Sequence, residues 1–151
     1  MRYTRLVFAL LGFAATLIAA DPFVGTWKLN SGKTKYKTGT PPKEQTVTYS
    51  EEGSDLHVVV KGTSFDGQPI STHFTVPVAG GAGKIIESFY DAVTMKKTSA
   101  NERETAFSRG GKVTYSAKAK RSADGKTMTV TVKGTNLSGQ NVDGANVYDK
   151  Q

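Results

Sequence analysis

From residue 22 onward the chain alternates between apolar and polar positions. Val47 and Tyr49 alternate with Thr46 and Thr48, and Leu56, Val58 and Val60 with His57, Val59 and Lys61. Ile70, Thr72, Phe74, Val76 and Val78 stand between Ser71, His73 and Thr75 in the same way. Val113, Tyr115, Ala117 and Ala119 face away from Thr114, Ser116, Lys118 and Lys120, as Met128, Val130 and Val132 do from Thr127, Thr129, Thr131 and Lys133. Successive side chains of a strand point to opposite faces, so this period marks strands with one dry and one wet face. No stretch of helical length carries the apolar spacing of about 3.6 residues that a helix needs.

Turn chemistry separates these runs at hairpin spacing: Glu52-Gly53, Asp66-Gly67, Gly80-Gly81, Gly110-Gly111, Asp124-Gly125 and Ser138-Gly139. Such pairs supply the positive φ angles of tight turns between twisted strands. Parallel strands need long crossovers, and the spacing leaves no room for them. The pattern predicts an all-β fold, an antiparallel up-and-down meander of about eight to ten strands that closes into a barrel or splits into a sandwich. The polar, Pro- and Gly-containing segment Ser31–Lys43 reads as a connection or flap.

One internal repeat stands out. Residues 52–70 (EGSDLHVVVKGTSFDGQPI) match residues 124–142 (DGKTMTVTVKGTNLSGQNV) at a constant offset, sharing Val-x-Val-Lys-Gly-Thr and a later Gly-Gln. Two hairpins with the same turn geometry explain the match. Gly62 and Gly134 would then let each strand bend, and Gln68 and Gln140 would bond turn backbone. A pseudo-symmetric rim built from the two Lys-Gly-Thr segments is the functional alternative.

The first twenty residues break the alternation. Met1–Arg5 is basic, Leu6–Ala20 is uncharged, apolar and ends in small residues, and Asp21-Pro22 follows at once. That layout predicts a secretory signal cleaved after Ala19 or Ala20, because a spanning helix needs about 20 apolar residues. A single domain over residues 21–151 would remain, periplasmic or secreted and without a lasting membrane insertion. No Cys is present, which removes disulfides, thiolate metal sites, thiol nucleophiles and a lipidated N-terminus. The net charge of +7 falls to +5 once Arg2 and Arg5 leave with the signal. The remaining basic residues are dispersed in strand-like spacings such as Lys33/Lys35/Lys37 and Lys118/Lys120, as on solvated strand faces. Exposed aromatics interleaved with them, as nucleic-acid binding requires, are missing.

The start of the domain, Asp21-Pro-Phe-Val-Gly-Thr-Trp-Lys-Leu-Asn30, resembles the opening strand of lipocalins and fatty-acid-binding proteins, the calycin group. Val130-x-Val-Lys-Gly134 through Val147-Tyr148-Asp149-Lys150 is similar to the last two strands of fatty-acid-binding proteins, and the whole looks most like bacterial exported lipocalin-like proteins. The resemblance implies a barrel with the Trp27 indole across its closed end. Two features depart from it. Only Ser31–Lys43 stands where the fatty-acid-binding family inserts a helical lid, and Asn146 and the neighbourhood of Ala119 stand where its carboxylate-binding Arg residues fall. Asn cannot clamp a carboxylate as a guanidinium does, so a neutral or merely hydrogen-bonding ligand is the expectation.

The inward positions expected to line a pocket are Tyr49, Phe74, Tyr115, Asn146 and Tyr148, with Met128 as adaptable filler. His57 and His73 fall on the polar parity without a third ligand at useful spacing, and neither a metal nor a cofactor is expected. Glu87 shares parity with Ile85 and Phe89. It is a buried acid/base candidate if that parity faces inward, and solvated if Ile86 and Tyr90 do; the second arrangement is expected. No Gly-x-Ser-x-Gly elbow is present. The functional expectation is a non-catalytic barrel for a small apolar or amphipathic molecule. A filled barrel serving as a protein-interaction or inhibitor module is the alternative, and a cofactor-free enzyme using Glu87 or Tyr148 is a third reading.

Overall fold

The computed structural model describes residues 19–151. The basic segment and all but the last two residues of the apolar run read as an export signal lie outside the described residues. Twelve strands follow one another: β1 (Gly25–Leu29), β2 (Lys35–Thr38), β3 (Glu44–Glu52), β4 (Asp55–Thr63), β5 (Pro69–Pro77) and β6 (Gly81–Ala82), then β7 (Lys84–Glu87), β8 (Ala92–Ser99), β9 (Glu102–Arg109), β10 (Lys112–Arg121), β11 (Thr127–Thr135) and β12 (Asn141–Lys150). Every pairing is antiparallel and joins near neighbours in sequence, except where the ends of the chain meet. No helix among the described residues is long and apolar enough to cross a membrane.

Closure rests on four short elements, β1, β2, β6 and β7. β12 pairs with β1 over residues 148–150 and with β2 over residues 143–145. β1 and β2 therefore act as one strand interrupted at Asn30–Thr34, while β1 also pairs with β3. On the far side, β6 pairs with β8 and β7 with β5, so residues 81–87 stitch the sheet shut. Gly83 sits at the handover; its N–H bonds to the carbonyl of Val93 at 2.9 Å, and a Cβ there would stand 2.1 Å from the carbonyl oxygen of Thr75. Counting β1/β2 and β6/β7 once each, ten staves form the wall. Of the barrel and the sandwich that the alternation leaves open, the antiparallel barrel is the fold.

A glycine takes positive φ in each of the six expected turns, as at Gly53 (61°) and Gly139 (74°). The two repeated hairpins share one turn geometry: Ser64 N–H bonds to the carbonyl of Gln68 at 2.8 Å, and Asn136 N–H to that of Gln140 at 2.9 Å. A Cβ on Gly62 or Gly134 would meet the carbonyl oxygen of Glu44 or Thr114 at 2.1 Å. These glycines thus permit close approach of the neighbouring strand. The glutamines differ from expectation. Gln140 Oε1 accepts from Thr40 N–H at 3.1 Å and so ties down the 39–43 segment, not its own turn.

Two alternations are broken by bulges. Between β9 and β10 the register slips between Val113 and Tyr115, and Val113 turns outward, 66% exposed. Between β5 and β7, Phe74 pairs with Ile85 and His73 with Glu87. Ile86 is the extra residue and is 56% exposed. Glu87 is solvated as expected, while Ile85, not Ile86, packs against the core and Tyr90 is buried. An inserted residue resets the face of everything beyond it.

At the end where the described chain begins, Trp27 and Phe23 are fully buried, and the indole N–H donates to the carbonyl of Phe23 at 2.9 Å. Trp27 plugs this end. Beside it Arg103, on β9, lies fully within the protein. Its Nη2 donates to both carboxylate oxygens of Asp21, at 2.7 and 2.8 Å. The guanidinium carbon stands 4.0 Å from the centre of the Phe23 ring, an attractive arrangement for a desolvated cation. Removing one member of such a pair strands a buried charge. Asp21→Asn is expected to cost about 3–5 kcal/mol in urea unfolding, and pairing Asp21→Leu with Arg103→Leu to recover most of it. Gly83→Ala should cost about 1–3 kcal/mol by the same measurement, because the collision with Thr75 is with backbone.

Candidate functional site

The up-and-down course puts the turns β2–β3, β4–β5, β7–β8, β9–β10 and β11–β12 at the end opposite Trp27. A cavity of about 110 Å³ lies inside the barrel, reaching the turns at this end. All six inward positions expected from the alternation line it: Tyr49, Phe74, Tyr115, Met128, Asn146 and Tyr148. They come from β3, β5, β10, β11 and β12, so only closure brings them together. Trp27 is not among the lining residues.

One wall is aromatic. Phe74 meets Phe107 edge-on, with ring centres 5.1 Å apart, and Tyr90 lies nearly parallel to Tyr115 at 5.8 Å. Tyr90 is held in place by a hydrogen bond from its hydroxyl to the carbonyl of Thr135 at 2.8 Å. The other wall carries the polar groups. The Tyr148 hydroxyl donates to Gln45 Oε1 and accepts from Asn146 Nδ2 at 3.4 Å. Asn146 Oδ1 is buried with no hydrogen-bond partner. Buried acceptors are ordinarily satisfied, so this oxygen is an unpaired acceptor on a residue that lines the cavity.

Tyr36, Gln45, Tyr90 and Phe107 also line the cavity and were not anticipated. For Tyr36 the signal was present: Lys33, Lys35 and Lys37 are exposed and Thr34 is buried, so Tyr36 shares the inner parity. Gly144 makes room for it, since a Cβ there would come within 2.2 Å of the Tyr36 ring. The repeat also reaches the site. Ser64 and Phe65 after one Lys-Gly-Thr, and Asn136, Leu137 and Ser138 after the other, line the mouth with Thr40 and Pro42. The rim is built from the turns that follow the repeated motif.

No charged side chain lines the cavity. Arg103 is spent on Asp21 at the other end, and Glu87 lies outside, accepting from Ser71 Oγ at 2.5 Å. That hydroxyl, with Lys61, lowers the Glu87 pKa, the reverse of what a general acid at neutral pH needs. His57 and His73 stand outside with ring centres 5.7 Å apart, and His57 pairs with Glu52 at 3.1 Å. Among the described residues no three His, Cys, Asp or Glu side chains cluster to hold a metal.

Burial governs the lining tyrosines. It pushes the Tyr49 hydroxyl up to about 12, against the opposing pull of Arg103. It also raises Tyr36, Tyr90, Tyr115 and Tyr148 above the ordinary phenol range. All five are therefore neutral at physiological pH and act as hydrogen-bonding groups.

Fold and site together define a small antiparallel β-barrel with one plugged end and an uncharged cavity at the other. No protein-family model and no curated protein matches the chain. Two solved structures are similar to it in outline. One is a redesigned β-barrel, mFAP1, bound to DFHBI, with a TM-score of 0.43 and 11% identity over 85% of this chain and 95% of that one. The other is a fluorescence-activating β-barrel of de novo design, with a TM-score of 0.42 and 15% identity over 88% of this chain and all of that one. The architecture described above rests on the strand pairing of this chain itself.

Tyrosines that stay protonated in the fold but ionise near pH 10 when unfolded make the unfolded chain the weaker proton binder above that pH. Stability is then fully present below about pH 10 and falls as pH rises through the folded-state values. In an alkaline titration the near-ultraviolet phenolate signal of the barrel should lag beyond pH 10 and rise together with loss of β-sheet circular dichroism.

Proposed function

We propose that this protein is an exported, lipocalin-like barrel that binds a small, uncharged, apolar or amphipathic molecule and performs no chemistry on it. The observation that carries the reading is the lining of the cavity: aromatic and aliphatic walls, one unpartnered amide oxygen and no charge. An ionised ligand would lose its hydration there without a counter-charge, which is costly. The volume of about 110 Å³ exceeds the roughly 30 Å³ share of one water and is of the order that admits a single aromatic ring. The structures of the two similar barrels include one solved with a small molecule bound, but the proposal stands on the cavity. The apolar run and small residues before Asp21 support export, and the resemblance of the first and last strands supports the lipocalin-like assignment.

A second reading has one observation in its favour. Phe65, Phe89, Ile86 and Val113 are the large exposed hydrophobics among the described residues, and all four lie in or beside turns at the mouth. A rim of that kind also suits contact between the barrel and another macromolecule.

Calorimetric titration with p-cresol, benzoate and benzylammonium tests the main reading. Binding is expected for p-cresol and not for the two ions. Asn146→Leu should weaken p-cresol about tenfold by removing the polar anchor. If no neutral probe binds, and native mass spectrometry of protein exported from its own host finds no co-purifying small molecule, the proposal fails and the rim becomes the better candidate.

A further inference from the structure

We propose that the chain is cut between Ala20 and Asp21, and that the α-ammonium this frees is a structural group seated against Glu51. The inference rests on the export reading and goes beyond it, since it assigns the scissile bond and a role to the terminus that results.

The boundary between solvent and core falls at this bond. Ala19 and Ala20 are exposed, whereas Asp21 is 5% exposed and Phe23 is fully buried. Every polar group of Asp21 is occupied. Its carboxylate receives Arg103 and the N–H of Phe23 at 3.0 Å, and its carbonyl accepts from Val24 N–H at 3.0 Å. Its main-chain nitrogen lies 2.9 Å from Glu51 Oε1. Of Asp21, only the link to Ala20 leads outward.

Hydrolysis by a signal peptidase adds water across that link. Ala20 keeps the new carboxylate, and the Asp21 nitrogen becomes an amine that is protonated at neutral pH. The amide donates one bond to Glu51. The ammonium at the same place adds a unit charge and two further N–H donors, turning the contact into a charge-assisted pair. Cleavage one residue earlier would place the ammonium on exposed Ala20, beyond this contact. Small side chains at Ala19 and Ala20 suit either cut; only the cut after Ala20 delivers the ammonium to Glu51.

The test uses the full 151-residue chain exported by a bacterial host. Intact-mass measurement of the exported protein is expected to show residues 21–151. Glu51→Gln should then lower the melting temperature of this protein by about 1–3 °C. The same substitution should lower it by less than half as much in protein carrying one extra residue before Asp21. A mature chain that begins elsewhere, or equal sensitivity of the two forms to Glu51→Gln, overturns the inference while leaving export intact. An unprocessed chain of full mass overturns both.

Discussion

The structure depends on a closure in which one strand serves two partners. β12 gives its last residues to β1 and its middle residues to β2, and between them the ladder is carried by substitutes. Asn30 N–H bonds to the carbonyl of Val147 at 2.7 Å, and Val147 N–H donates to the side chain of Thr34 at 3.1 Å. A sheet with unpaired edges exposes a row of backbone donors and acceptors. Here the break in the first stave is repaired by a threonine hydroxyl, so β12 keeps its bonds while the chain bends away toward the 39–43 segment. The far side is closed by the opposite device, a single strand divided between two neighbours at Gly83.

Closure creates an interior, and the sorting of charge decides what that interior can hold. The one buried cation among the described residues, Arg103, is neutralised by Asp21 and covered by Phe23 at the plugged end. No other charged side chain among the described residues is buried; Lys118 meets Glu102 at 2.8 Å and Glu87 accepts from Ser71. The cavity is left to phenols, amides, hydroxyls and hydrocarbon. Desolvation raises the pKa of each buried tyrosine, which keeps these phenols neutral at physiological pH. The same burial that stabilises the barrel therefore leaves its cavity uncharged.

Much of this was legible from alternation alone. The inner faces of β3, β4, β5, β11 and most of β10 follow from parity, and so do the six lining residues, because a strand offers each side chain only two directions. The failures have two causes. Val113 and Ile86 lie at bulges, where one inserted residue exchanges inside for outside, and nothing in the local run announces the insertion. Arg103 sits in the charged stretch Glu102-Arg103-Glu104 and reads as surface. Its burial makes sense only with Asp21, a partner 82 residues away in sequence.

By itself, then, the sequence determined most of the strands, their antiparallel order and most of the dry faces, since these depend on residues two to ten positions apart; β2, inside the Ser31–Lys43 segment read as a connection, is defined by its pairing with distant β12. The tertiary structure alone decided that the dry faces enclose a cavity, that the plugged end holds an ion pair, and that the mouth is ringed by the turns following the repeat. Those properties arise where distant strands meet. The conformation of any one strand is compatible with a filled barrel as well as a hollow one, and only the sum of side-chain volumes around the ring distinguishes them. The nitrogen of Asp21 shows the same division: the sequence sets a run of small residues before Asp21, and the fold places Glu51 Oε1 2.9 Å from its nitrogen.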